Sequence, residues 1–236
     1  LATCYPTQST INRRMIAYAM GRYRGDWHAD TLKAERFLKY LISETDTLSV
    51  VAAMPVAGKT KSQFAATLIE RILNSKATSS ELLIAACRAA SNHSLVDATP
   101  LLPLVRHSNL SVAESACTAL EKKKLNAQNL AYLHSAEFEL DVRMQGSLAR
   151  LLHTHGEPFP IDQWTAKLDA IVDIYDRVHC IRTLGCSGSS AAICLDRALN
   201  ESNILLANAY VEAFIESHKQ SDFPTNIDYA SALNEL

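Results

Sequence analysis

The sequence predicts an all-α fold, a right-handed α-solenoid of about seven stacked helical hairpins, on three observations. Residues 105–120 and 199–214 share one pattern, in which a Ser-Asn turn precedes an aliphatic residue, Ala positions and a closing large apolar residue. Such self-similarity is typical of stacked repeats. The composition agrees, since 236 residues include only 7 Gly and 7 Pro and 48% are apolar, which favours helix and a continuous core. Small-residue pairs also recur at intervals of 30 positions, at Ala86 and Ala89, Ala116 and Ala119, and Gly146 and Ala149.

The chain is interpreted as a short tail, residues 1–8, followed by one repeat domain, residues 9–236. Ser9 or Thr10 can cap a first helix over residues 12–20. One amphipathic hairpin cannot bury both of its faces, so we expect neighbouring hairpins to stack. The small residues that should let their first helices approach closely are Ala86, Ala116 and Gly146.

The second helix begins at Asp30 or Thr31 and completes the first hairpin. Its apolar residues at helical spacing, which we expect to be buried, are Leu32, Phe37, Leu38, Leu41 and Ile42. Pro100 and Pro103 predict a kink or late start in a later helix, because each Pro removes a backbone donor. The remaining helix pairs are predicted at residues 46–56 and 59–73, 80–91 and 95–106, 112–123 and 126–134, 140–153 and 161–175, 177–184 and 189–199, and 204–218 and 227–233.

Residues 140–149 read Leu-Asp-Val-Arg-Met-Gln-Gly-Ser-Leu-Ala. This segment resembles the HEAT-repeat family, and within it the short bacterial HEAT-like units, in which Asp-Val-Arg is followed by an Ala stripe. The resemblance spans residues 9–218 and concerns the fold.

Charge and hydropathy argue against two classes of partner. The formal net charge is -2 and the pI is about 6.5, so no general attraction to phosphate backbones or anionic membranes is predicted. The longest apolar run, residues 48–58, is shorter than the roughly 20 residues that cross a bilayer. We therefore predict neither a nucleic-acid partner nor a membrane span.

The six cysteines indicate a reducing compartment rather than a disulfide framework. Cys87, Cys117 and Cys180 fall in or beside the small-residue stripes of predicted helices, where a free Cys behaves as a small core residue. The predicted location is the cytoplasm. An exported protein of a bacterial cell envelope is the alternative, because residues 1–4 are similar to a lipoprotein cleavage box.

Residues 53–60 contain the strongest chemical motif, Ala-Met-Pro-Val-Ala-Gly-Lys-Thr, which fits a relaxed phosphate loop. In that interpretation the Gly58 backbone helps to cradle phosphates, Lys59 holds the outer phosphates and Thr60 binds magnesium. Pro55 removes one of the backbone donors, and the first Gly of the motif is Ala. We therefore interpret Gly58, with Ala57, as the turn between two helices.

Two shorter motifs have structural interpretations. His153, His155 and Glu157 lie close together, but a structural zinc ion needs four converging ligands, so a solvated loop is favoured. Residues 185–189, Gly-Cys-Ser-Gly-Ser, resemble a nucleophile elbow except that the fifth residue should be Gly, and a hairpin turn is predicted. The sequence thus predicts no catalytic residue, no metal and no cofactor.

Charged pairs on the predicted helices are interpreted as a solvated face or as a ladder between repeats. They are Asp141 with Arg143, and Asp196 with Arg197. A basic cluster near the start of the chain is also interpreted as a solvated face, with a docking site for an acidic partner as the alternative. It comprises Arg13, Arg14, Arg22 and Arg24.

The predicted function is a scaffold for protein–protein interaction, which holds another protein on a concave surface lined by the second helix of each hairpin. The residues that such a surface presents are those that the core does not need. Tyr132 is the most suggestive, because an aromatic residue on a polar helix face often anchors a partner. At the predicted helix phase the set is Gln63, Thr67, Glu70, Arg71, Gln128, Asn129, Tyr132, Gln163, Lys167 and Arg197.

Two alternatives come from other classes of protein. One is an enzyme on the same scaffold, similar to the HEAT-like bilin-attachment lyases. The other is a structural piece of a larger assembly, which the Leu1 start suggests and which uncovered apolar ends of the stack would favour.

Overall fold

The computed structural model describes residues 4–23, 31–75, 77–136 and 140–220. Every regular element within these ranges is helical, so the predicted all-α class is confirmed. None of the helices described is long and apolar enough to cross a membrane. The α-helices are α1 (Thr10–Arg22), α2 (Thr31–Leu41), α3 (Thr47–Lys59), α4 (Gln63–Leu73), α5 (Ser80–Asn92), α6 (Leu110–Leu120), α7 (Ala127–Ala136), α8 (Val142–Thr154), α9 (Ile161–Ala170), α10 (Ile174–Leu184), α11 (Ala191–Asn200) and α12 (Ile204–Gln220). Short 3-10 helices lie at Tyr5–Thr7, Leu102–Arg106 and Gly188–Ser190.

Most of these helices begin at a polar side chain that accepts a hydrogen bond from a backbone N–H of the first turn. Ser9 is such a cap for α1, as the sequence predicts, and accepts from the N–H of Asn12. These bonds satisfy donors that have no partner inside the helix. The other caps of this kind are Asp46, Ser62, Ser79, Asn109, Asp141 and Asp173.

The chain divides into two compact units, Leu1–Glu139 and Leu140–Leu236. In the first unit α1 packs against α3, α3 against α5, and α5 against α6. We call these four the first helices of the unit. Beside them α2 contacts α3 and α4, α4 contacts α3 and α5, and the turn at Leu102–Arg106 contacts α6 and α7.

The second unit repeats this order. Its helix α8 packs against α10 and α10 against α12, while α9 contacts α10 and α11 contacts α12. The core is formed by buried residues that include Trp164, Leu168, Ile181 and Tyr210. The indole N–H of Trp164 donates a buried hydrogen bond of 3.1 Å to the Cys180 carbonyl, which ties α9 to α10.

Small residues set the distance between neighbouring helices. Ala86 and Ala116 are fully buried, and Gly146 is buried as well. A Cβ added at Gly58 would lie 2.9 Å from the Ala89 Cα, closer than real Cβ contacts come. The backbones of α3 and α5 therefore touch at Gly58.

Gly58 corrects one prediction, because it lies inside α3 and is not a turn. The connection to α4 is at residues 60–62, where Thr60 ends α3 and Ser62 caps α4. The sequence suggested a turn because Gly commonly ends helices. Here the missing side chain serves helix contact instead.

The prediction of an α-helix at residues 95–106 is also wrong. The segment consists of turns and the 3-10 helix Leu102–Arg106. Pro100 and Pro103 cannot donate backbone hydrogen bonds, so an α-helix through both would lose two of its bonds.

Two further predictions need correction. The helix predicted at 161–175 is two helices, because Asp173 accepts hydrogen bonds from the N–H groups of Tyr175 and Asp176 and starts α10. In α2, Phe37, Leu38 and Leu41 are buried as predicted, but Leu32 is exposed, and so is Ile42, which lies just after the helix. The helix predicted at residues 227–233 lies outside the described residues.

Candidate partner-binding surface

Four of the predicted partner-binding residues lie on α4, and we call them the α4 patch: Gln63, Thr67, Glu70 and Arg71. Gln63, Thr67 and Arg71 are exposed and Glu70 is half-buried. The opposite face of α4 is buried in the core of the first unit, through Leu68, Ile69, Ile72 and Leu73. The phase of this helix is therefore the predicted one.

Three predicted residues lie on α7. Gln128 is exposed, whereas Asn129 is engaged in the start of the helix, where it and Asn126 each accept a hydrogen bond from the other's backbone N–H. Tyr132 is half-buried, and the Arg106 guanidinium lies 5.0 Å from its ring centroid. One face of the predicted aromatic anchor is thus covered by a cation of the same chain.

The last three predicted residues lie in the second unit. Gln163 is exposed on α9, and the Lys167 Nζ lies 5.4 Å from the Trp164 ring centroid. Arg197 on α11 donates two hydrogen bonds to the Asp169 carboxylate on α9, of 2.6 and 2.9 Å. These bonds lower the pKa of Asp169. Arg197 therefore joins two helices.

The structure thus brings the predicted residues together only in part. The α4 patch is one continuous helix face, and the Asp169–Arg197 pair joins α9 to α11. One surface that runs through α4, α7, α9 and α11 stays a prediction.

Sequence reasoning missed a set of donors at the C-terminal ends of the first helices. The last four carbonyls of a helix lack partners within it. Lys59, at the end of α3, donates to the carbonyls of Gly21 and Tyr23 at the end of α1, over 3.4 and 3.1 Å. Each of the next two helices repeats this arrangement.

The His93 ring, just after α5, bonds through Nε2 to the Thr60 carbonyl at the end of α3, over 2.7 Å. Lys123, just after α6, donates to the His93 carbonyl over 2.6 Å. Cations and donors at helix C-termini complement the helix dipole. The signal in the sequence is a Lys or His about 30 to 34 residues after the previous one, at positions 59, 93 and 123.

Burial shifts the pKa values of His93 and Lys123. Burial, and then the charge of Lys123, hold the pKa of His93 below its ordinary value, although the hydrogen bond to Thr60 opposes this. Burial also lowers the pKa of Lys123, with Asp97 and Glu70 opposing. A neutral His93 that donates through Nε2 fits both observations.

The structure argues against a phosphate loop at residues 53–60. Residues 53–59 belong to α3, so the N–H groups of all but Pro55, which has none, are engaged in helical bonds. The Thr60 N–H donates to the Val56 carbonyl over 2.9 Å. The Thr60 hydroxyl donates to the same carbonyl. Neither the backbone nor this hydroxyl is presented to a phosphate.

The other motifs have local roles. The His153 Nδ1 lies 2.8 Å from the Glu157 carbonyl oxygen, and its ring packs edge-on against Phe159. The hydroxyl of Ser190 donates to the carbonyls of Leu184 and Ser187 within the turn after α10. Across the described ranges, no three His, Cys, Asp or Glu side chains are placed to hold a metal ion.

Two residues of the basic cluster, Arg13 and Arg14, pair with carboxylates just before α3. Arg13 forms an ion pair of 2.8 Å with Glu44, and Arg14 one of 2.6 Å with Asp46. Tyr5, which the sequence assigns to a tail, is buried and donates to Glu44 over 2.7 Å. Of this cluster, Arg24 lies outside the described residues.

No protein-family model, curated protein or solved structure matches this chain.

Proposed function

We propose that this chain is a HEAT-like, right-handed α-solenoid that acts as a scaffold for protein–protein interaction. The observation that carries the proposal is the consecutive packing of helices in each unit. In one unit α1 packs against α3, α3 against α5 and α5 against α6, and in the other α8 packs against α10 and α10 against α12. In repeat proteins such packing builds the core and leaves a face of the remaining helices for binding.

Ion pairs between helices that pack against each other support the repeat interpretation. Arg14 pairs with Asp46 and so links α1 to the start of α3. Arg143 on α8 pairs with Asp176 on α10. Arg182 on α10 pairs with Glu212 on α12 at 2.6 Å. Because these pairs are at least partly exposed, they contribute alignment more than stability.

The α4 patch is the part of the surface best suited to a partner. Arg71 is exposed and forms no ion pair with any described residue, so binding would not have to break a contact within the chain. Arg is enriched among the residues that dominate binding energy. Tyr132 and Arg197, by contrast, are engaged by Arg106 and Asp169. We therefore place the partner on α4, with a carboxylate opposite Arg71.

The cysteines support a reducing compartment, and we propose the cytoplasm. Five of the six, Cys87, Cys117, Cys180, Cys186 and Cys194, are buried, and Cys4 is exposed. Burial raises the pKa of Cys87 to about 12, so its thiol stays protonated and acts as a small core group.

The proposal is tested by purifying the tagged chain from its native lysate and identifying bound proteins by mass spectrometry. The variant Arg71→Glu reverses the charge of the α4 patch, and Arg88→Glu makes the same change at another exposed position, on α5. We expect one stoichiometric partner whose recovery falls at least about tenfold with Arg71→Glu and is unchanged with Arg88→Glu. No partner, or equal recovery by both variants, would contradict the proposal. Circular dichroism verifies that both variants fold.

A further inference from the structure

The outer face of α1 carries a row of large side chains that nothing described covers. Ile11, Met15 and Tyr18 are 71, 64 and 51% exposed, and they lie three and four residues apart, on one side of the helix. Arg22 continues the row, with its guanidinium 5.2 Å from the Tyr18 ring centroid and bonded to the Tyr18 hydroxyl. We call these four residues the α1 stripe.

The same spacing recurs in each of the next three first helices. Each has residues at intervals of four, three and four positions that end in a hydrogen-bond donor. The three stripes are Leu48, Ala52, Pro55 and Lys59; Leu82, Ala86, Ala89 and His93; and Val112, Ala116, Ala119 and Lys123.

In α3 and α5 the middle of the stripe faces the preceding first helix. A Cβ at Gly21 of α1 would collide with the Ala52 carbonyl oxygen and would lie 3.6 Å from Pro55 of α3. A Cβ at Gly58 of α3 would meet Ala89 of α5 at 2.9 Å. The last turn of the preceding helix therefore packs against the stripe.

The donor that ends each stripe completes the contact. Lys59, His93 and Lys123 all bond to carbonyls at the C-terminal end of the preceding helix. Arg22 holds the equivalent position in α1. It is exposed, and its guanidinium has five N–H donors, more than its bond to Tyr18 uses.

We infer that the α1 stripe is a second docking surface, which binds the C-terminal end of an amphipathic helix of a partner protein. Small residues of that helix pack against Ile11, Met15 and Tyr18, and its last carbonyls accept hydrogen bonds from Arg22. The contact continues the α1–α3–α5–α6 series by one helix, in the same register. It is separate from the α4 patch and does not depend on the function proposed for it.

Charge favours this occupant over a second α1. Arg13 and Arg14 pair with Glu44 and Asp46, so Arg22 is the one charged residue of the α1 stripe. A second α1 packed through this face would offer Arg22 no acidic residue, because α1 contains none. The C-terminal end of a helix carries partial negative charge from its unpaired carbonyls, which complements Arg22.

The test uses the full chain and a labelled peptide of its own residues 79–94, which span α5, with Cys87→Ala to prevent oxidation. The end of α5 already accepts the Lys123 donor in this protein, so the peptide has the required face. Binding is followed by fluorescence anisotropy. Met15→Glu and Arg22→Glu are compared with the matched changes Leu32→Glu and Arg71→Glu, which alter other exposed positions.

We expect saturable binding that weakens at least about tenfold with Met15→Glu and Arg22→Glu and stays within about twofold with the two controls. Benzoylphenylalanine in place of Tyr18 should cross-link to the last turn of the peptide, near residues 89–93. Absence of saturable binding, equal effects of the matched variants, or cross-links to the first half of the peptide would overturn the inference. So would self-association of the chain that Met15→Glu abolishes, because the occupant would then be a second copy.

Discussion

Replacing His93 by Gln should remove part of the pH dependence of stability. The His93 side chain is 1% exposed. Its Nε2 donates to the Thr60 carbonyl over 2.7 Å, and its Nδ1 accepts from the Leu95 N–H over 3.3 Å. Protonation of Nδ1 would break the bond to Leu95 and add a charge near Lys123. The pKa of His93 is lowered by burial first and by Lys123 second, against the opposing effects of Thr60 and Glu70.

The sign follows from linkage. In the folded chain the pKa of His93 lies below the ordinary His value of about 6.5, which applies to the unfolded chain. Between these two pKa values the unfolded chain therefore binds more protons than the folded chain. The contribution of neutral His93 to the free energy of unfolding is complete above about pH 6.5. It is lost as the pH falls through the pKa of His93 in the folded chain, by at most about 1.4 kcal/mol per pH unit. Carboxylates with lowered pKa values, such as Glu44 and Asp169, lose their contribution at lower pH.

The measurement is urea unfolding followed by circular dichroism at several pH values from 5 to 7.5. Gln can still donate to the Thr60 carbonyl and does not titrate. His93→Gln should therefore be less stable than the wild type at pH 7.5, by about 1 kcal/mol for the lost Leu95 bond, and the difference should shrink as the pH falls. A difference that is constant across this range would refute the reasoning.

Two further predictions concern packing. Gly58→Leu should lower the free energy of unfolding by about 1 to 3 kcal/mol, because the new side chain must displace α5 at Ala89. If the variant were as stable in urea as the wild type, this contact between α3 and α5 would be contradicted. Trp164→Phe should cost about 1 to 3 kcal/mol, because the buried Cys180 carbonyl loses its indole donor. An unchanged unfolding midpoint would show that this bond contributes nothing.

Several helix boundaries could be predicted because their signals are local. Ser9 begins α1 through a bond to a backbone N–H three residues away, and the predicted helix at 80–91 matches α5, Ser80–Asn92, to within one residue. The buried positions of α4 follow from apolar spacing alone. The segment at 95–106 was misjudged because its apolar residues suit a helix, whereas Pro100 and Pro103 prevent one.

The candidate sites were less predictable, because each depends on residues about 30 positions away. The exposure of Arg71 agrees with its place in the sequence pattern. By contrast, the cation that covers Tyr132 belongs to Arg106, and the carboxylate that binds Arg197 belongs to Asp169. The exposed α1 stripe has the same spacing as the stripes that are used between helices. Its availability depends on what packs beside it.

The sequence by itself determined the helical class, the caps and the spacing of the small residues, since these are set by neighbours within one or two turns. The tertiary structure decided what the small and polar residues do. Gly58 is a helix contact because α5 lies against it, and His93 is a neutral donor because the end of α3 presents a carbonyl to it. Such roles are fixed by the backbone of the adjacent helix, which no local pattern specifies.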